Sequence, residues 1–389
     1  MTVQRLRPFQ VNVFARMSAL AAELGAVNLG QGFPDEDGPP AMLEAARQAI
    51  ADGVNQYPPG PGIAELRQAV AAQRLRRYGQ TFDPETEVLV TVGASEAIAA
   101  AVLGLVEPGS EVLVLEPFFD TYAPVIAMAG SQRVAVPLAP DGRGFALDVE
   151  AVRAAITPRT RAVIVNSPHN PTGMVLSDPE LRALAGLAVD ADLLVIADEV
   201  YERLTFDGRT HRPIGTYPGM AERTVTISSA AKMFNCTGWK IGWACATPEL
   251  LAGVRAAKQY LSYVGGAPFQ PAVAYALNNE DGWSDALRES MRTRRDALAA
   301  ALTRIGFGIH DCAGTYFLCA DPRPLGYADS AAFCEELPRR AGVAAIPMSA
   351  FCDPGGAPER WKHLVRFTFC KRAETLDEAI RRLAALGPS

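Results

Sequence analysis

Residues Leu193–Tyr201, LLVIADEVY, show the pattern that decides the fold. Five apolar residues, Leu193–Ala197, are followed at once by two carboxylates, and such a short apolar run is typical of a strand buried on both faces of a sheet. A carboxylate at the buried end of a strand needs a cation or hydrogen-bond donors. Asp198 is therefore a candidate site residue as well as the end of a strand.

Similar short runs recur over residues 45–275, where they alternate with alanine-rich helical segments. This alternation predicts an α/β domain whose sheet is mostly parallel. We predict strands at Val88–Val92, Val112–Leu115, Arg133–Val136, Ala162–Val165, Leu193–Ala197 and Thr224–Ile227, and helices at Ser95–Val106, Asp120–Ala129, Leu147–Ala155 and Asp178–Val189.

The chain changes character after Pro271, where charged helices predominate. We predict helices at Trp283–Ile305 and Thr375–Leu386, with strands at Thr315–Cys319 and His363–Phe369, which together indicate a smaller α+β domain. The expected division is residues 1–44 as an N-terminal arm and part of the small domain, 45–275 as the large domain, and 276–389 as the C-terminal small domain.

Composition excludes several classes of protein. The 389 residues are 49% hydrophobic and 21% charged, as expected for a globular protein, and the net charge of −6 without a basic run argues against a nucleic-acid partner. The N-terminus lacks signal-peptide features, and the most apolar stretch, Ala97–Val106, is about half the length of a membrane span. We expect a cytoplasmic enzyme with no membrane partner.

The cysteines and histidines give no sign of a metal site. Seven cysteines form no CxxC pair, and the four histidines are scattered without ligand spacing. We therefore expect reduced cysteines and no bound metal.

Small, amide, acidic or amine groups follow five of the predicted strands, at the edge where open α/β sheets bind ligands. Each group also has an ordinary structural explanation: Ser95 could be only a helix cap, and the segment from Asn166 to Gly173 only a proline turn. As a site, the helix start at Gly93-Ala94-Ser95 would bind a phosphate. The groups are Gly93-Ala94-Ser95, Glu116–Phe119, Asn166 with Asn170–Gly173, Asp198–Tyr201, and Ser228-Ser229.

Lysine is rare in this chain, yet two of its five lysines lie in Ser228–Trp243, SSAAKMFNCTGWKIGW. The neighbours of Lys232 offer no ion-pair partner, so they suit a desolvated amine with a lowered pKa that can form a carbon–nitrogen double bond. A surface lysine is the ordinary alternative. Lys240 could extend from a helix to solvent, or direct its charge at an anion.

These groups together fit pyridoxal 5′-phosphate better than a nucleotide. A phosphate cradle, a carboxylate, an amine and aromatic rings are what that cofactor requires. A nicotinamide cofactor would call for GxGxxG after the first strand, and the GQG of residues 30–32 is not followed by that pattern; no Walker A sequence occurs.

Six motifs in family order resemble the fold type I, class I and II aminotransferases, over residues 5–386. They are NLGQGFPD, NQYPPGPG, NSPHNPTG, VIADEVY, SSAAKMFNCTGWKIGW and LVRFTF. The resemblance implies a pyridoxal phosphate enzyme with a large, mostly parallel domain and a smaller α+β domain. It also implies amino acid and 2-oxo acid substrates, and a homodimer with shared active sites.

The resemblance also assigns roles to individual residues. Lys232 would hold the cofactor covalently and move the substrate proton, and Asp198 would pair with the pyridine nitrogen. Arg366 would bind the substrate α-carboxylate. The other implied contacts are Tyr201 and Asn170 at the ring oxygen with Asn166 nearby, Phe118 on the ring face, Ala94, Ser95, Ser229 and Lys240 at the phosphate, Tyr57 reaching in from the other subunit, and Gly32, Asn170 and Phe14 on the substrate side.

Within this family the chain is most similar to the N-succinyldiaminopimelate aminotransferases, especially through AKMFNCTGWKIGWAC, AAKQYLSYVGGAPFQPAVA and GTYFLCADPRPLGY. Compared with glutamine transaminase K, the side chains at Phe14, Ser95, Gly265 and Gly266 are smaller, which either opens the distal pocket for a long succinylated substrate or is filled by repacking. The resemblance thus implies N-succinyl-LL-2,6-diaminopimelate and 2-oxoglutarate as substrates.

Two alternatives remain at this point. One is a broad glutamine, methionine or kynurenine aminotransferase with cysteine-conjugate β-lyase activity. The other is a cofactor-sensing regulator of transcription, which we disfavour because only about thirty residues precede NLGQGFPD and they contain no basic patch.

Overall fold

The structure is a computed structural model that describes residues 2–10, 12–353 and 358–386. Its strands are β1 Val27–Asn28, β2 Val88–Val92, β3 Glu111–Glu116, β4 Gln132–Pro137, β5 Ala139–Asp141, β6 Gly144–Ala146, β7 Thr160–Asn166, β8 Leu194–Asp198, β9 Thr224–Ser229, β10 Ile241–Cys245, β11 Gly308–Ile309, β12 Phe317–Asp321, β13 Val343–Ala344, β14 Ile346–Pro347 and β15 Val365–Thr368.

The helices alternate with these strands through the first two thirds of the chain. They are α1 Val13–Glu23, α2 Pro40–Ala51, α3 Ala64–Tyr78, α4 Gly93–Leu105, α5 Tyr122–Met128, α6 Val149–Ala155, α7 Asp178–Asp190, α8 Ala230–Met233, α9 Pro248–Leu261, α10 Phe269–Asn279, α11 Asp281–Ile305, α12 Ser330–Ala341, α13 Pro358–Trp361 and α14 Ala373–Leu383. No helix in the described ranges is both long and apolar enough to cross a membrane.

A seven-stranded sheet organises the larger part of the chain, in the order β2-β10-β9-β8-β7-β3-β4. Strands β9, β8, β7, β3 and β4 are parallel neighbours, and β10 runs antiparallel to both β9 and β2. The six strands predicted for the large domain are all present, with ends that differ by at most two residues. The prediction of a mostly parallel sheet is confirmed.

Both faces of this sheet are buried, as the apolar runs predict. Along β3, Leu113 and Leu115 pack into one hydrophobic cluster and Val112 and Val114 into another. Because side chains alternate between the faces of a strand, each face carries its own core. Charged groups on these strands are therefore confined to the ends, where Asp198 lies.

Strand β10 was not predicted from the sequence. Its residues, IGWAC, contain a glycine and follow the lysine-containing stretch without a β-branched run. Gly242 is needed because a β-carbon there would lie 2.5 Å from the carbonyl carbon of Gly93, at the start of α4. The strand thus brings Lys240 beside the first turn of α4.

The C-terminal part contains a separate antiparallel sheet, in the order β11-β12-β15-β14. Near the N-terminus, β1 pairs in parallel with β13, through Val27 opposite Val343. This pairing joins residues 1–44 to 276–389, and the division of the chain into domains stays a prediction. It also brings the loop after β1 next to β15, the strand that carries Arg366.

Candidate active site

A cavity of about 330 Å³ lies beyond the carboxyl ends of β7, β8 and β9. Of the residues predicted from sequence, it collects twelve: Phe14, Gly32, Ala94, Ser95, Asn166, Asn170, Asp198, Tyr201, Ser229, Lys232, Lys240 and Arg366. Two predicted residues, Tyr57 and Phe118, are not among those that line it.

Asp198 ends β8 and is buried. The hydroxyl of Tyr122 donates to its Oδ2 at 2.6 Å, and the N–H of Val200 donates to its Oδ1 at 3.3 Å. Burial raises the pKa of this carboxyl to about 6, although the two hydrogen bonds and the charge of Lys232 lower it. A protonated ring nitrogen would supply the cation that this buried carboxylate needs.

Lys232 lies one turn beyond β9, in the short helix α8. Its Nζ is 3.4 Å from the carbonyl oxygen of Gly32 and 5.5 Å and 5.8 Å from the ring centres of Tyr316 and Tyr201. The pKa of the ammonium is lowered to about 8, mainly by burial, with smaller contributions from the charges of Lys240 and Arg366 in the same direction and from Asp198 in the opposite one. A substantial fraction of neutral, nucleophilic amine is therefore present near pH 8.

The start of α4 and Lys240 form a polar pocket at one end of the cavity. Gly93 has φ +71°, and a β-carbon there would lie 3.2 Å from Lys240 Nζ. The free N–H groups of the first turn, the hydroxyls of Ser95 and Ser229 and the ammonium of Lys240 all border the same space. This combination fits a phosphate dianion.

Arg366 occupies the other end of the cavity and is buried. Its Nη1 donates to Asn170 Oδ1 at 2.9 Å, and its Nη2 donates to the Gly30 carbonyl at 2.7 Å. The guanidinium carbon lies 3.8 Å and 4.5 Å from the ring centres of Phe317 and Phe351. Burial lowers its pKa to about 10, so the group remains cationic near neutral pH.

The Nε–H of Arg366 is buried and has no hydrogen-bond partner in the described part of the chain. A buried, unsatisfied donor on a cation is costly unless a ligand completes it. A substrate carboxylate would do so, since guanidinium and carboxylate form parallel hydrogen bonds.

Asn166 and Asn170 connect the two ends of the cavity. The side-chain amide of Asn166 donates to the Asp198 carbonyl at 2.9 Å, and its Oδ1 accepts the N–H of Asn170 at 2.8 Å. Asn170 in turn receives Arg366. Tyr201 lies on the same side, edge-on to Tyr316 with ring centres 5.2 Å apart.

Gly32 lies where the substrate side of the cavity meets Lys232. Its carbonyl accepts the hydroxyl of Tyr316 at 2.6 Å. A β-carbon at this position would lie 2.4 Å from the ring of Phe317, so no larger residue fits. Phe14 lines the cavity nearby, with its ring 5.3 Å from that of Phe351.

The predicted position of Phe118 on the face of the cofactor is not supported. Its ring is buried in the core cluster beneath the sheet edge, 5.5 Å from the guanidinium of Arg133, and its N–H donates to the Phe351 carbonyl. The next residue, Phe119, lines the cavity instead. The chain leaves β3 in an irregular turn, where neither a strand nor a helix period shows which of two adjacent rings faces the site.

Several residues of the site were not singled out from the sequence, and four of them have an evident role. Phe119 and Asp120 line the cavity, Tyr122 binds Asp198, and Tyr316 binds Gly32. Phe119 belongs to the predicted strand-end group Glu116–Phe119, and Asp120 follows it directly, so proximity to the end of β3 is the signal for both residues. Tyr122 and Tyr316 carry no such signal, because their partners are distant in sequence.

The profile of the family described as "Aminotransferase class I and II" matches residues 25–383. The chain belongs to this family of aminotransferases. It is 73% identical over 391 residues to a protein of Mycobacterium tuberculosis named "Probable N-succinyldiaminopimelate aminotransferase DapC", covering 99% of this chain and 98% of the other.

Other relatives agree on the family. The chain is 39% identical over 383 residues to methionine aminotransferase of Escherichia coli, with 98% and 97% of the two chains covered. The solved structure of N-succinyldiaminopimelate aminotransferase from Mycobacterium tuberculosis superposes with a TM-score of 0.98 at 73% identity, over all of both chains. The predicted fold type I architecture is confirmed.

This aminotransferase depends on pyridoxal 5′-phosphate, as its family does. The site fits that group: the α4 pocket suits its phosphate, buried Asp198 suits its ring nitrogen, and Lys232 is an amine of lowered pKa at the ring's other end.

Proposed function

We propose that this aminotransferase moves an amino group from N-succinyl-LL-2,6-diaminopimelate to 2-oxoglutarate, giving N-succinyl-2-amino-6-oxopimelate and glutamate. The observation that carries this proposal is the 73% identity, over the whole chain, to a relative named for that substrate. The methionine and kynurenine aminotransferases, which represent the broad-specificity alternative, are 33–39% identical to this chain.

Each site residue has a task in this reaction. Pyridoxal phosphate supplies an electron sink for the charge that develops at the substrate Cα. Asp198 would hold a proton on the ring nitrogen of the cofactor, and Asn170 and Tyr201 would orient its ring oxygen. Lys232 would hold the cofactor and, as a free amine, would carry the proton that leaves the substrate Cα.

Arg366 fixes the α-carboxylate of both the amino acid and the 2-oxo acid. The rings of Phe317 and Phe351 exclude water from it, which strengthens its attraction for a carboxylate. Phe119, rather than Phe118, is our candidate for the ring face of the cofactor. The phosphate would be held by Ala94, Ser95, Ser229 and Lys240.

The long end of the substrate must leave the cavity away from Arg366. The cavity lining includes two amide side chains, Asn12 and Gln31, while its cationic lining groups are Lys232, Lys240 and Arg366. We propose that amide groups, rather than a further cation of this chain, meet the succinyl tail. Ser95 lines the cavity, whereas Gly265 and Gly266 do not, and a β-carbon added to them would meet Val92 and Ile241 respectively.

A homodimer would complete the site. Tyr57 is 82% exposed and packs against Tyr263, and Tyr260, three positions earlier in the chain than Tyr263, is 85% exposed. Exposed aromatic clusters of this kind mark interfaces, and we propose that Tyr57 reaches the cofactor phosphate of the partner subunit. The seven cysteines are unpaired, in keeping with a reducing compartment, and we propose a cytoplasmic location.

The test is a comparison of kcat/KM for N-succinyl-LL-2,6-diaminopimelate, methionine, kynurenine and glutamine, each with 2-oxoglutarate. We expect the succinylated substrate to be favoured by at least about a hundredfold, since the polar groups at the distal end would be left unpaired by shorter substrates. Similar values for all four would replace the proposal with the broad-specificity alternative.

A further inference from the structure

Lys258 is a buried lysine outside the active-site cavity. It lies on α9 with 3% of its surface exposed, and burial lowers its pKa. Lys362, by contrast, is partly exposed and pairs with Glu359 and Asp329. Placing an ammonium inside a protein is costly, so the groups that it binds should account for its presence.

Two backbone carbonyls receive the ammonium of Lys258. Its Nζ donates to the Gly60 oxygen at 3.0 Å and also to the Tyr263 oxygen. The first carbonyl belongs to the segment between α2 and α3, and the second to the segment between α9 and α10. One side chain therefore joins two loops about 200 residues apart in sequence.

Gln270 makes a second connection between the same loops. Its Oε1 accepts the N–H of Ile63 at 2.9 Å, and its Nε2 donates to the Gly265 carbonyl at 2.8 Å. Gln270 is buried, so these bonds are shielded from competing water. We call Lys258 and Gln270 together the loop clamp.

The loop clamp holds a conformation that would not be favoured otherwise. Tyr263 has φ +63°, in the left-handed region that residues other than glycine rarely adopt. Its ring packs edge-on against Tyr57, with centres 5.6 Å apart. Both rings are exposed, so in the described chain Tyr57 takes its orientation from Tyr263 and from the loop that Lys258 binds at Gly60.

We infer that Lys258 is a positioning residue that fixes Tyr57 in the orientation needed to donate a hydrogen bond to the cofactor phosphate of the partner subunit. The inference rests on the proposed homodimer. A lysine suits the task because its compact ammonium can direct separate hydrogens at two carbonyls, whereas a planar guanidinium would need more room.

The experiment measures dissociation constants for pyridoxal phosphate and for pyridoxal, which lacks the phosphate. The full chain is stripped of cofactor and titrated as wild type, Lys258→Met, Tyr57→Phe, the double variant, and the exposed-lysine control Lys362→Met. Loss of a hydrogen bond to a charged group should weaken phosphate-dependent binding by about tenfold in Tyr57→Phe. We expect about three- to tenfold in Lys258→Met and no change in the control.

Two further outcomes distinguish positioning from a general structural role. The double variant should lie within about twofold of Tyr57→Phe, because both changes remove the same contact. Affinity for pyridoxal should change less than twofold. Equal losses for pyridoxal and its phosphate, additive effects in the double variant, or an unaffected Tyr57→Phe would each overturn the inference.

Sedimentation of the same samples separates this inference from the proposed function. Lys258→Met should remain a dimer, and a monomeric variant would overturn the inference because the interface, rather than Tyr57, would have been lost. A monomeric wild type would overturn the homodimer itself. Turnover of the succinylated substrate enters none of these readouts.

Discussion

The hydroxyl of Tyr122 lies 2.6 Å from Oδ2 of Asp198, inside a buried region where few other groups can compensate the carboxylate. A tyrosine at the start of α5 thus supports the residue that we assign to the cofactor's ring nitrogen. The contact joins the segment after β3 to the end of β8, two strands that β7 separates in the sheet, so the position of Asp198 does not depend on its own strand alone.

Tyr122→Phe should lower kcat by about tenfold while leaving the fold intact. The change removes one hydrogen bond to the Asp198 carboxylate, which further favours its neutral form. The measurement is kcat with saturating substrates, together with the pH dependence of the bound cofactor's visible absorbance. An unchanged absorbance profile would show that Tyr122 does not act through Asp198.

Asp198 should make the cofactor-free protein less stable as the pH rises. Its pKa is raised by burial from 3.8 to about 6, so between about pH 4 and 6 the folded chain binds a proton that the unfolded chain has lost. The contribution of this group to the free energy of unfolding is greatest below pH 4, and it decreases by about 3 kcal/mol as the pH rises through 6. Denaturant unfolding of the wild type and of Asp198→Asn across this pH range measures the decrease, which the variant should lack. An equal pH dependence in both proteins would mean that Asp198 is ionised in the folded chain.

Lys232→Ala should abolish both turnover and the visible absorbance of covalently bound cofactor. No other amine takes its place, because Lys240 lies at the phosphate end. Absorbance spectra and single-turnover assays of the purified variant test this. Retention of both signals would reject the assignment of Lys232.

Arg366→Ala should raise KM for the amino acid and for the 2-oxo acid alike, by about a hundredfold. One guanidinium serves both half-reactions, and a charged hydrogen bond is lost in each. The exposed Arg304 offers a control, since Arg304→Ala should change neither constant. An effect on one substrate only would mean that Arg366 is not the shared carboxylate group.

Phe118 and Phe119 should respond differently to truncation. Phe119→Ala should weaken cofactor affinity with a small effect on stability, since the ring borders the cavity. Phe118→Ala should cost about 3 kcal/mol of unfolding free energy and leave a folded enzyme that binds cofactor normally, since its ring belongs to the core. Thermal unfolding and cofactor titration of both variants measure these two effects. The reverse pattern would assign Phe118, rather than Phe119, to the cofactor site.

The sequence was informative where the chain follows a regular pattern. Asp198 and Asn166 were found because each ends an apolar run, and the structure places both at the same edge of one sheet. Strand β10 was missed because Gly242 weakens any strand signal, and it is required there by contact with Gly93. That requirement comes from tertiary packing, which one sequence does not reveal.

Contacts between distant segments were the least predictable part. Tyr316 and Gly32 are 284 positions apart, and no local pattern relates them. Which of Phe118 and Phe119 faces the cavity depends on the conformation of the irregular turn after β3. The partner contact of Tyr57 was expected from the family resemblance, and its exposure in the chain leaves it a proposal.

Arg366 is carried by β15, in the four-stranded sheet, whereas Asp198 ends β8, in the seven-stranded sheet. The α-carboxylate of the substrate and the ring of the cofactor are therefore anchored to different sheets. Any sliding of one sheet against the other would translate the scissile Cα–H bond relative to Lys232. The distance over which the proton moves therefore depends on how the two sheets are aligned. Substitutions at the junction of the two sheets, far from the cavity, should affect the rate of proton transfer more than the affinity for substrate.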